Sequence, residues 1–124
     1  MRAVKAVASA TNLTWGIDTV LTITKAQAMA FVNRNVVFRV GYIDMLTTQE
    51  LADITSVGMQ VSFVGFALEF DPSHTLARLA ALGVPKGCTI WHDIEGTGLD
   101  AATIIAKSDA LTHALAGEGY RPGE

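Results

Sequence analysis

From Leu13 onward, short apolar runs alternate with segments whose apolar residues recur at helical spacing, and the alternation repeats four times. The first unit is Leu13-Thr14-Trp15-Gly16-Ile17-Asp18, then a helix opened by Thr24-Lys25-Ala26-Gln27. Thr24 and Gln27 stand at capping-box spacing, where each satisfies the other's backbone N–H. The second unit is the β-branched run Val36–Ile43, which reads as a strand buried on both faces, followed by a second capping box at Thr47-Thr48-Gln49-Glu50 and a helix ending near Gly58. The third is the run from Gln60 to Leu68, with Asp71 as N-cap, Pro72 at the first helical position and Gly83 as terminator. The fourth is Thr89-Ile90-Trp91-His92-Asp93-Ile94-Glu95-Gly96, followed by a helix from Asp100 to Gly117.

Strands alternating with helices in this order predict an α/β fold of four successive βα units, with parallel strands, right-handed crossovers and outer helices. That is the first half of a (β/α)8 TIM-like barrel. Residues 1–12 read as a lead-in segment and 13–124 as the βα domain.

Composition narrows the function classes. The chain has 124 residues, 50% hydrophobic and 17% charged, which suits a folded domain with a core. A formal charge of -3 without a basic cluster gives no footprint for nucleic acid. Arg2 and Lys5 before Ala6-Val7-Ala8-Ser9-Ala10 only faintly mimic a secretory signal, because the apolar stretch is too short, and no run is long enough to insert in a membrane. The compartment stays open. A single cysteine, Cys88, rules out an internal disulfide and a multi-cysteine metal site.

Chemistry in such an array gathers at the carboxyl ends of strands. Candidate positions there are Asp18, Tyr42 and Asp44, Glu69 and Asp71, and Asp93 with Glu95. Strand alternation puts Trp91, Asp93 and Glu95 on one face and His92 on the other, so His92 does not join the acids as a metal ligand. Two carboxyls in one cleft push their pKa values apart, one protonated and one ionised, which is the requirement of glycoside hydrolysis. Trp91 and Tyr42 are candidate sugar-binding aromatics. The plainer readings are that Asp93 caps its loop, that Glu95 is merely exposed, that Asp44, Glu69 and Asp71 are solvated or capping, and that His74 and His113 are surface residues. Arg39 inside an apolar strand requires a carboxylate partner or a path to the surface. No cofactor is implied, since Gly96-Thr97-Gly98 lacks the third glycine and the position of a dinucleotide loop.

Gly16-Ile17-Asp18, Ile23-Thr24-Lys25-Ala26-Gln27-Ala28, Leu46-Thr47-Thr48-Gln49-Glu50-Leu51, Ala81-Leu82-Gly83-Val84-Pro85-Lys86-Gly87 and the Asp-x-Glu strand together resemble the glycoside-hydrolase-like domains of the DUF1906 type, relatives of the GH25-type lysozymes. The resemblance covers about residues 14–124 and rests on order and spacing. It implies a TIM barrel acting on peptidoglycan or a related cell-envelope polysaccharide, in bacteria or their phages. Position by position it makes Asp18 the first-strand acid, Asp93 and Glu95 the Asp-x-Glu pair, and Glu95 the general acid. In that family an Arg often directly precedes the second-strand Tyr, whereas Gly41 does so here and Arg39 stands two positions earlier.

Tyr120-Arg121-Pro122-Gly123 resembles the approach to a fifth strand. Four units alone would leave sheet edges and an inner face uncovered, so the chain reads first as a fragment of a longer protein, lacking the C-terminal half of the barrel, and otherwise as a complete chain that requires a homodimer or a partner chain. The competing expectation is a non-catalytic polysaccharide-binding or structural assembly module, as in a phage particle or secretion apparatus.

Overall fold

A computed structural model describes residues 2–7, 13–95 and 98–123, with side chains from Trp15 onward. The elements run β1 (Arg2–Val7), β2 (Leu13–Asp18), α1 (Lys25–Val32), β3 (Val36–Tyr42), α2 (Thr48–Ser56), β4 (Gln60–Phe66), α3 (Pro72–Leu82), β5 (Thr89–Asp93), α4 (Ala101–Gly117) and β6 (Arg121–Gly123). The α/β class and the four strand–helix units from β2 to α4 are those expected, in the element order of the first half of a (β/α)8 barrel. Two features were not anticipated in full. The lead-in carries a strand, β1, antiparallel to β2, with Arg2 opposite Asp18 and Val7 opposite Leu13. The residues after α4 complete β6, parallel to β5.

By density of contacts the chain divides into two compact units. The first comprises residues 1–41 and 45–62. In it β2 runs parallel to β3 with a register shift between Trp15 and Gly16, where the Phe38 ring lies against the glycine. Its core is Ile17, Ile23, Ala28, Ile54 and Met59, closed over by Leu51 and Val61 among others. Ile17 comes from the strand, Ala28 and Ile54 from the helices, so the periodicities of two and of three to four residues meet in one cluster. Within β3, Arg39 and Gly41 are buried, whereas Phe38 and Val40 are half-buried. The strand is therefore covered on one face rather than two, a correction to the expectation from its letters. A continuous β-branched run permits two-sided burial but does not require it.

Arg39 explains a second departure. Both Arg39 and Glu50 have side chains 1% exposed, and they form an ion pair. The guanidinium also donates through Nη2 to the carbonyls of Leu21, at 2.8 Å, and Thr19, at 3.4 Å. Glu50 Oε1 accepts from the Ile23 N–H at 2.8 Å. Thr47 caps α2 as expected, accepting from the Glu50 N–H at 3.1 Å. The reciprocal half of that capping box is not made, because the Glu50 carboxylate is committed to a buried cation that would be costly unpaired. In α1 both halves of the box form.

The second unit comprises residues 42–44 and 63–124. In it the end of β4 runs parallel to β5, with Phe66 opposite Asp93, and β5 runs parallel to β6. Leu79, Leu82, Ile90, Leu111 and Leu115 are buried where α3 packs on α4 and the strands. Gly83 ends α3 in the left-handed conformation, φ 69°, and the Val84 N–H then reaches the Leu79 carbonyl at 3.0 Å. Gly83→Ala is expected to lower stability by about 1–2 kcal/mol, the cost of a Cβ in that conformation, read as a shift of the urea midpoint at constant slope.

The Asp100 carboxylate caps α4, accepting from the Thr103 N–H at 2.7 Å, and that hydrogen bond holds its pKa below the ordinary value. A carboxyl depressed in the folded state stabilises above its unfolded pKa and loses that effect as pH falls through the folded one. Asp100→Ala is therefore expected to lower the thermal midpoint at neutral pH, with the gap from the parent closing in strong acid.

Candidate active site at the strand ends

The sequence places its candidates at carboxyl ends of strands, and each can be located. Asp18 is the last residue of β2, half-buried, in the first unit and opposite Val40 in register. Tyr42, Trp91, Asp93 and Glu95 belong to the second unit. Asp93 is the last residue of β5, and its Oδ1 accepts from the Glu95 N–H at 2.9 Å. This turn fixes the Asp93 side chain and puts the exposed Glu95 beyond the strand. Strand alternation consequently sets the face of Asp93 but not of Glu95, which corrects the expectation that both acids and Trp91 share a face by periodicity. The chain then enters Gly96 and Thr97, so the Gly-Thr-Gly loop lies in part outside the described residues.

Trp91 is 45% exposed, and its indole lies against Gly123 of β6, where an added Cβ would come within 2.6 Å of the ring. With Ile94, Ile104 and Ile105 it lines a cavity of about 310 Å³. His92 turns to α4, where Nδ1 lies 3.1 Å from Ser108 Oγ, in line with its assignment away from the acids. Among the described residues no group of three His, Cys, Asp or Glu side chains is placed to hold a metal ion.

Around Tyr42 the structure assembles a cluster that the sequence did not announce. The Tyr42 ring stacks on Phe66, centroids 5.5 Å apart and planes at 12°. Phe66 meets Phe70 at 6.4 Å, tilted, and Phe70 stacks on the imidazole of His74 at 4.1 Å and 18°. His74 Nε2 in turn lies 2.5 Å from Asp44 Oδ1. Asp44 was expected to be solvated or capping and His74 to be a surface residue. Instead the Asp44 side chain is only 10% exposed and is held by His74, itself 41% exposed. One helical turn on, Arg78 donates to the Ile43 carbonyl from Nε at 3.1 Å and Nη2 at 2.8 Å. His74 and Arg78 thus hold the segment that follows β3 against α3. The available signal was the i, i+4 pair His74 and Arg78 on a helix whose start Asp71-Pro72 fixes.

Comparison with solved structures gives one informative likeness. An uncharacterized protein of B. stearothermophilus superposes with a TM-score of 0.72 at 23% identity, over 89% of this chain. The fold is shared. The present chain spans 59% of the length of that protein. No family model matches the chain, and no curated protein matches it.

Proposed function

We propose that this is a glycoside-hydrolase-like protein acting on peptidoglycan or a related cell-envelope polysaccharide, with Glu95 as general acid. The reading is carried by one observation: an exposed carboxyl, Glu95, follows a second carboxyl, Asp93, that is held in place at the carboxyl end of a parallel strand. In hydrolysis Glu95 would give its proton to the glycosidic oxygen as that bond breaks, and the Asp93 carboxylate would stabilise the positive charge growing on the sugar or orient the attacking water. A sugar seated over Glu95 would itself exclude water from the donor. Asp18 is assigned to the same reaction on the family resemblance alone.

A second reading is a non-catalytic module that binds such a polysaccharide, or a structural component of an assembly. It is favoured by the turn at Asp93, which a strand end can form purely to satisfy its own backbone. One experiment separates the two. The protein is incubated with purified peptidoglycan, and both the reducing ends released and the protein retained on the insoluble polymer are measured. Release that Glu95→Gln abolishes supports hydrolysis. Retention without release, undiminished in Asp93→Asn and Glu95→Gln, makes it a binding module.

A further inference from the structure

The outer face of α4 is exposed and almost uncharged. The helix buries Leu111 and Leu115, and it packs on α3 and β6. Away from those contacts Ala102, Ala106, Asp109, His113 and Ala116 are all exposed, and Ile105 beside them is 60% exposed. A helix face left in water ordinarily carries polar side chains, as α2 does with Thr48, Gln49, Thr55 and Ser56. On α4 the exposed positions hold Asp109 and His113 as their only polar side chains.

Ala102, Ala106, Asp109, His113 and Ala116 follow one another at spacings of four, three, four and three residues. This is the repeat with which two helices keep a single seam in contact. Alanine at three of the positions lets two helix axes approach to about 8 Å. Asp109 and His113 stand one turn apart, where a pair on one helix can meet. Among the described residues, however, neither has an ion-pair partner.

We infer that this face pairs with the same face of a second copy of the chain, the two α4 helices running antiparallel about a two-fold axis at the level of Leu111. That register brings Asp109 opposite the partner's His113, and the symmetry makes the contact twice. It sets Ala106 against the partner's Ala116, small against small. It also sets Ile105, the bulkiest apolar side chain of the face, at the level of the partner's Gly117. Space is open where a Cβ on Gly117 would stand, so the isoleucine has a socket.

Each feature of the face thus finds its complement on the face itself. Charge and shape that match under a two-fold rotation point to a second copy rather than to another protein. The charges also select the direction, since parallel helices in register would oppose Asp109 to the partner's Asp109. Lys107 is half-buried, lies towards the segment that leads into α3 and stands off the seam. The second copy is therefore placed on an outer helix and not on a sheet edge. The inference is independent of the polysaccharide reading.

The test is sedimentation equilibrium of the protein over a range of concentrations, where the parent is expected to show a monomer–dimer equilibrium. Ile105→Asp should weaken the dimer about ten-fold or more. Gly117→Leu fills the socket and should weaken it about ten-fold, at a position where the backbone accepts a side chain. His113→Asp sets carboxylates against each other and should weaken it by a similar factor. The double variant Asp109→His, His113→Asp exchanges the two groups across the seam and should restore the parent's affinity. Urea midpoints of the dilute monomers check that each variant folds as the parent does. A parent that stays monomeric at high micromolar concentration overturns the inference. So does a dimer that Ile105→Asp and Gly117→Leu leave unchanged, because its contact would lie elsewhere. A double variant as weak as His113→Asp alone overturns the antiparallel register, since only that register opposes Asp109 to the partner's His113.

Discussion

Glu50→Ala is expected to cost about 3–5 kcal/mol of stability, the loss measured when one partner of a buried ion pair is removed. Both side chains are almost entirely enclosed, so the remaining Arg39 guanidinium has no route to water. Burial already disfavours its charged form and lowers its pKa, yet a guanidinium keeps its proton at any ordinary pH. The charge must therefore be balanced within the fold. Removing Glu50 also deprives the Ile23 N–H of its acceptor. Against a domain stability of roughly 5–15 kcal/mol, a loss of this size leaves a protein close to unfolding. The double variant Arg39→Met, Glu50→Leu is expected to recover much of it, since no uncompensated charge is left behind. Urea midpoints at unchanged slope check both, and a Glu50→Ala loss below about 1 kcal/mol would mean that Arg39 finds another partner.

The same pair links the helix cap to the candidate chemistry. Thr19, Leu21 and Ile23, which Arg39 and Glu50 hold, directly follow Asp18 at the end of β2. Arg39 was legible as a problem from its place in an apolar strand, but its partner was not. Glu50 sits at the capping-box position of its helix, and the local pattern accounts for it without any tertiary role. The competing claim of a cation distant in sequence appears only when the strand and helix are packed.

Similar reasoning covers the rest of the candidate site. The order of elements was readable because caps and terminators, Thr24, Thr47, Asp100 and Gly83, act within a turn or two of their own positions. Asp44 and His74 are 30 residues apart and join only where the segment after β3 meets α3. Asp71 shows the opposite limit, a correct N-cap position whose side chain makes no cap bond. For Asp93 and Glu95 the strand and its approximate end were legible, but the two-residue overrun decides the geometry: Asp93 closes the strand and Glu95 belongs to the loop.

That division makes distinct results expected from the two acids. Glu95→Gln keeps size and polarity but cannot donate a proton to a leaving oxygen, so polysaccharide turnover should fall by about 10²–10⁴-fold, the usual contribution of a positioned general acid. The loss should be much smaller for an aryl glycoside whose leaving group needs no protonation. Asp93→Asn retains an oxygen that can accept from the Glu95 N–H, so it should remove charge and spare the turn. Asp93→Ala removes both. If Asp93 acts on the sugar, Asp93→Asn and Asp93→Ala lose comparable activity and only the alanine variant loses stability. Near-parent turnover in Asp93→Asn beside a defective Asp93→Ala would make Asp93 a positioning residue that holds the loop carrying Glu95. Equal losses for polymer and aryl glycoside in Glu95→Gln would remove the proton-donor role from Glu95, because only protonation of the leaving group distinguishes those two substrates.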